Sequence, residues 1–202
     1  RGRVILLPAL NLPAAVAGRR TSPIDEGNLN RSFPGDPNGT PTQQLAYYVE
    51  HALVPMADLV CDLHSGGSSL MYLPSAQLPG YRPDERGERG LAALAAFGAE
   101  TAYVAAANQG GDQTLTGACL RQGVLSVGTE AGGAGHLTPA ALRMVERGVN
   151  NLLVHLGILP ESDRIAPPQP TRLLEVGGPD YYVYASENGV YEPLAEPGET
   201  VL

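Results

Sequence analysis

Three short stretches of this chain carry residue types that could do chemistry. The first runs RTSPID over 20–25 and NLNRSFPG over 28–35. It places guanidiniums and amides on a segment stiffened by Pro and Gly. An arginine fork suits a carboxylate, and Asn adds a further hydrogen bond, so an anion pocket is one reading. A solvated loop with Arg–Asp pairs accounts for the same residues. The second stretch is DLHSGG over 62–67. A histidine closing a strand, with glycines permitting close approach, suits a metal ligand or a general base. Asp62 and His64 fall on one face of a strand, so Asp62 could orient the imidazole. The third is GTEAGG over 128–133. A carboxylate ending an apolar run costs energy to bury unless it is paired. Burial would raise its pKa and suit Glu130 to proton transfer near neutrality. A structural histidine and a salt-bridged glutamate remain the plain alternatives for the last two.

These residues need a scaffold. Residues 4–10 (VILLPAL) read as a short buried strand. Residues 11–39 are rich in Gly, Pro, Asn, Asp and Ser and read as a long functional loop. Thr40, Pro41 and Gln43 form a helix start with a capping box, and Leu45, Tyr48, Val49 and Leu53 give that helix an apolar face. A second buried strand is expected over 57–63, a loop over 72–90, a helix over 90–98 and a strand over 101–106. A short helix over 114–122 and a strand over 124–129 follow. Thr138 and Pro139 then start a long helix striped by Leu142, Val145, Val149, Leu152 and Leu156 and stopped by Gly157.

Strands alternating with helices imply an α/β domain with a mixed, mostly parallel sheet flanked by helices. His64 and Glu130 both fall at strand ends, where such sheets gather their sites. Residues 160–171 read as a linker between a larger, partial domain over 1–159 and a partial β-rich domain over 172–202. In that last segment, residues 180–186 and 190–194 flank an Asn188-Gly189 turn, a hairpin signal.

Composition excludes several classes. The chain has 202 residues, 43% of them hydrophobic, enough for a packed core. Thirteen basic against twenty-one acidic residues give a net charge of −8, which disfavours nucleic acid and anionic membranes as partners. All the basic residues are Arg, so no lysine nucleophile exists. No apolar run reaches the length of a membrane span. Cys61 and Cys119 sit far apart in apolar runs and read as free thiols, which fits a cytoplasmic setting. His51 and His155 read as packed or exposed; His136 follows the Glu130 loop and either lines the same cleft or has a plain structural place, the second reading leading. There is no phosphate-binding glycine loop and no serine elbow.

In this order, RTSPID–NLNRSFPG, DLHSGG and GTEAGGAG resemble the succinylglutamate desuccinylase/aspartoacylase family, a relative of the zinc carboxypeptidases, and most of all its N-acetyl-diaminobutyrate deacetylase-like branch. The resemblance runs from about residue 3 to the end of the chain. It implies one zinc ion held by a His-x-x-Glu pair, expected upstream of Arg1, and by a later histidine that matches His64. It further implies that Glu130 is the catalytic glutamate and that Asn30 and Arg31 grip the substrate carboxylate. Arg20 matches the arginine that steadies the oxyanion, with Arg19 adjacent to it. The implied reaction is zinc-dependent hydrolysis of the amide bond of a small anionic N-acyl amino acid by a metal-activated water. A peptide carboxypeptidase or a non-catalytic carboxylate-binding member would use the same residues. With one zinc ligand of three, these 202 residues alone are expected to show no useful activity. Assembly into a homo-oligomer is left open.

Overall fold

The computed structural model describes residues 2–106, 111–175 and 181–200. Its centre is a five-stranded sheet in the order β1-β4-β2-β3-β5. The strands are β1 (Leu59–His64), β2 (Ser75–Tyr81), β3 (Thr101–Ala106), β4 (Leu125–Glu130) and β5 (Arg172–Glu175). All pairs are parallel except β2 with β4, so the expected mixed, mostly parallel sheet is present. The helices are α1 (Leu12–Val16), α2 (Pro41–Tyr48), α3 (Glu85–Phe97), α4 (Leu115–Arg121) and α5 (Pro139–His155). No helix among the described residues is long and apolar enough to cross a membrane.

The strongest local signals formed as read. Thr40 caps α2 in a full capping box with Gln43, and Thr138 caps α5 ahead of Pro139. β3, α4 and β4 lie within a residue of their expected bounds.

Two apolar clusters hold the layers together. Ala76, Leu78, Leu94, Phe97, Ala102, Val127, Met144 and Leu152 pack between one face of the sheet and α3 and α5. Phe33, Ala46, Val49, Val54, Ala118, Cys119 and Val124 pack on the opposite face, under α2 and α4. Cys61 and Cys119 are free, and burial pushes both thiols up to about 12.

Several elements differ from the sequence reading. Residues 4–10 form no strand: Val4, Ile5, Leu6 and Leu7 are exposed. A buried strand needs a neighbouring ladder, and this run pairs with none among the described residues. β1 is accordingly an edge strand, and it leaves Leu63 half exposed. The stretch 72–90, read as a loop, holds β2 and the first turns of α3. Pro79-Gly80 mimics a turn signal, but the strand absorbs it as a register shift between Leu78 and Tyr81, with Gly80 at φ +72°. Residues 172–175 join the main sheet beside β3, and the described residues 181–200 carry no strand, so the expected hairpin is not formed there. Asp180, its expected first residue, lies outside the described residues. The 160–171 linker is fastened to the body: the Asn151 amide donates to the Ile165 carbonyl at 2.8 Å and accepts from its N–H at 2.9 Å.

The buried face of α5 is also turned from the expected stripe. Ala141, Met144, Gly148, Asn151 and Leu152 are buried, while Leu142 and Leu156 are largely exposed. On α2, Tyr48 is likewise exposed and Ala46 takes the buried place. Small residues decide both faces, because they let neighbours approach. At Gly148 the Phe97 ring lies 2.2 Å from where a Cβ would stand. Phe97 is fully buried and has nowhere to move. Gly148→Ala is therefore expected to lower stability by about 1–3 kcal/mol, with part of the loss recovered when Phe97→Leu is added. Urea unfolding midpoints of the single and double variants check this.

Candidate active site

The carboxyl ends of β1 and β4 lie side by side. His64 pairs with Glu130 in the parallel register, and Ser75, the first residue of β2, pairs with Glu130 from the other side. Register partners point to one face of a sheet. His64, Glu130 and Ser75 thus form one row, and Asp62, Gly128 and Gln77 form the row below it. Both rows lie on the face that carries α2 and α4, the same face as Val60.

The glycines after each strand lock this alignment. Gly66 N–H donates to the Gly132 carbonyl at 2.9 Å, Ala131 N–H to His64 at 2.8 Å and Gly135 N–H to Gly67 at 2.8 Å. At Gly133 a Cβ would stand 2.0 Å from the Leu70 carbonyl oxygen, so only glycine lets the two loops close on each other. The HSGG and EAGG runs are thus two halves of one clasp that sets His64 against Glu130.

Asp62 fixes the imidazole. Its Oδ2 stands 2.8 Å from His64 Nε2, and the contact raises the histidine pKa despite burial. Asn30 Nδ2 lies 3.3 Å from the same nitrogen. Nε2 cannot donate to Asp62 and accept from Asn30 at once, and the shorter, charge-assisted bond takes it. Nδ1 is then the nitrogen left to bind a metal, as a carboxylate-anchored metal histidine requires. His64 fits one ligand position. The described residues bring no three His, Cys, Asp or Glu together as a metal site.

Glu130 is half-buried. Desolvation raises its pKa first; His64 and Arg20 pull it back, and Asp62 pushes it up. The Gln77 side chain also pulls the Glu130 pKa down. Arg20 is exposed, and its charge reaches His64, Glu130 and Tyr72. Arg19, its neighbour, is paired instead with Glu26 at 2.5 Å. The arginine facing the site is therefore Arg20. Tyr72, half exposed, is a site neighbour that the sequence reading missed, because it lay in a stretch read as loop.

The long loop reaches the site on struts. Asp25 accepts from Thr42 N–H at 2.7 Å, Thr42 Oγ1 at 2.8 Å and Gly27 N–H at 3.0 Å, a carboxylate at the N-terminus of α2. These donors hold its pKa well below the usual carboxylate range. Phe33 is buried in the second cluster, and Gly35 lies so close to α2 that a Cβ would meet Tyr47 N at 2.2 Å. Asn30 Oδ1 accepts from Leu115 N–H, the first residue of α4, at 2.8 Å. Arg31 is exposed and its guanidinium turns back to the Asn30 carbonyl. His64, Glu130 and Asn30 are thus gathered within reach of the Arg20 charge, while the Arg31 guanidinium bonds only the Asn30 carbonyl among the described residues. His51 stacks on Tyr47, His136 bonds the Ala134 carbonyl, and His155 is exposed.

A carboxylate with a depressed folded pKa stabilises the fold above its unfolded value and loses that contribution as pH falls. Asp25→Asn is expected to cost about 1–2 kcal/mol at neutral pH. The gap between wild type and variant should narrow below the ordinary Asp value of 3.8, which thermal unfolding across acid pH measures.

Residues 1–156 match the succinylglutamate desuccinylase/aspartoacylase catalytic domain. The chain belongs to this family. It is 42% identical over 201 residues to N-alpha-acetyl-L-2,4-diaminobutyric acid deacetylase of Halomonas elongata, covering 100% of this chain and 58% of that protein. The succinylglutamate desuccinylase/aspartoacylase of Rhodobacter sphaeroides superposes with a TM-score of 0.88 at 37% identity, over 98% of this chain and 60% of the other. The product-bound ectoine utilization protein EutE (DoeB) of Ruegeria pomeroyi gives 0.83 at 38% identity, over 91% and 55%. The family chain described here therefore spans rather more than half the length of these relatives.

Proposed function

We propose that the full-length protein hydrolyses the amide bond of an N-acyl amino acid, with N-acetyl-L-2,4-diaminobutyrate the first substrate to try. The observation that carries this reading is the in-register placement of His64 and Glu130 at the ends of β1 and β4, with the Arg20 charge reaching both. The deacetylase relative supports the substrate class.

His64 Nδ1, steadied from behind by Asp62, would be one ligand of a zinc ion. When bound, zinc lowers the pKa of water and polarises a carbonyl. The remaining steps belong to residues of this chain. Glu130 accepts the attacking water's proton and returns it to the leaving amine nitrogen, and its raised pKa suits both transfers. Arg20 places positive charge where the tetrahedral oxygen develops. Arg31, exposed and next to Asn30, grips the substrate carboxylate. Asn30 shares that task through its amide N–H groups, since its carbonyl is already taken by α4. Orientation by these groups makes the attack effectively intramolecular.

The test compares N-acetylated amino acids with short peptides as substrates of the full-length protein. Faster turnover of the N-acetyl amino acids is expected. Preference for peptides would make it a carboxypeptidase, and tight carboxylate binding without turnover would make it a binding protein.

A further inference from the structure

Two polar atoms beside the site have no hydrogen-bond partner among the described residues: Ser75 Oγ and Glu130 Oε2. Both are buried, and Ser75 is fully so. Such groups cost stability, and each calls for a reason. Here they stand on directly opposed residues of the antiparallel β2–β4 pair and face the same side of the sheet. Opposed residues place their Cβ atoms about 5 Å apart, so a rotation of either side chain brings hydroxyl and carboxylate together. One row below, Gln77 pairs with Gly128. Gly128 has no side chain between Asp62 and Gln77, and the Gln77 side chain, on the same face of the sheet, pulls the Glu130 pKa down.

We propose that Ser75 and Gln77 of β2 are positioning residues for Glu130, the Ser75 hydroxyl donating to Oε2 and the Gln77 amide holding the carboxyl from below. This rests on Glu130 acting as the proton-transfer group. On one side of β4, Asp62 orients His64; on the other, β2 orients the glutamate. A carboxylate that must move a proton between water and amine needs one oxygen aimed and the other held. Oε2 is the oxygen to hold, because it is the one buried without a partner among the described residues.

The experiment uses the full-length protein, with Ser75→Ala, Ser75→Thr, Gln77→Leu and Glu130→Gln assayed on one N-acetyl amino acid alongside thermal unfolding. Ser75→Ala should lower kcat about 10-fold with KM within about twofold, because the loss falls on the transition state. Its unfolding midpoint should shift by no more than a few degrees, since the net contribution of one neutral hydrogen bond is small. A merely structural serine would do the reverse. Ser75→Thr restores the hydroxyl and should recover kcat to within about threefold of wild type. Gln77→Leu gives a second reading should Ser75→Thr fail to fold, and it should lower kcat by a similar factor. Wild-type kcat in folded Ser75→Ala and Gln77→Leu, with Glu130→Gln inactive, overturns this proposal alone. Wild-type kcat in Glu130→Gln overturns the hydrolytic reading on which it stands.

Discussion

Glu130→Gln is expected to lower kcat for N-acyl amino acid hydrolysis by at least about 100-fold while the protein stays folded. The substitution keeps the shape and volume of the side chain and removes only its capacity to take a proton. Fold loss is not expected. Burial raises the pKa of Glu130, so its ionised form opposes folding at neutral pH. A group raised in this way loses stability as pH climbs past its unfolded value, and a neutral amide escapes that penalty. The unfolding midpoint of the variant should therefore equal or exceed that of wild type. Steady-state kinetics with a parallel thermal scan separates the two effects. A fall in kcat together with a fall in midpoint would point to a structural glutamate instead.

His64→Ala carries the second large effect. In the proposed metal centre the Asp62–His64 pair supplies one ligand: Asp62 holds one ring nitrogen and leaves the other to coordinate. Zinc in the purified full-length protein should fall from about one per chain to well below stoichiometric, and hydrolysis should fall with it. Asp62→Asn removes only the support. It should weaken metal affinity by about 10–100-fold, a smaller change than loss of the ligand itself. Metal analysis after dialysis measures both. Full zinc content in His64→Ala would place the metal, if any, elsewhere in the protein.

The legible parts of this molecule share a physical trait. Thr40 with Gln43, and Thr138 with Pro139, mark helix starts because capping chemistry is local and needs no tertiary partner. His64 and Glu130 stood out because a polar residue closing an apolar run is anomalous wherever the run packs. Residues 4–10 and β2 show the converse. An apolar run becomes a buried strand only if a neighbour offers a ladder, and residues 4–7 stay exposed without one. The strand β2 has its neighbours and forms despite Pro79-Gly80. Missing β2 also hid Ser75 and Gln77, whose relevance depends wholly on the register that sets them beside Glu130. The α5 stripe misled for a related reason. Counting large apolar residues points to Leu142 and Leu156, while the real contact is made by Gly148 yielding to Phe97.

The loop motifs gained a second meaning. In the RTSPID and NLNRSFPG runs, Asp25, Phe33 and Gly35 are struts to α2 and to the core beneath it, while Arg20, Asn30 and Arg31 are the residues to which a substrate role is proposed. Such a motif is specific because anchoring and chemistry must coincide on one short segment.

The account turns on whether the pair at the ends of β1 and β4 cleaves amides with metal assistance. Acetate release from N-acetylated amino acids by the full-length protein, before and after zinc removal by a chelator, tests this most directly. The prediction is saturable release that disappears on chelation and returns when zinc is restored. Release that chelation leaves unchanged, or no release from any N-acyl amino acid by a folded, zinc-loaded protein, would contradict it.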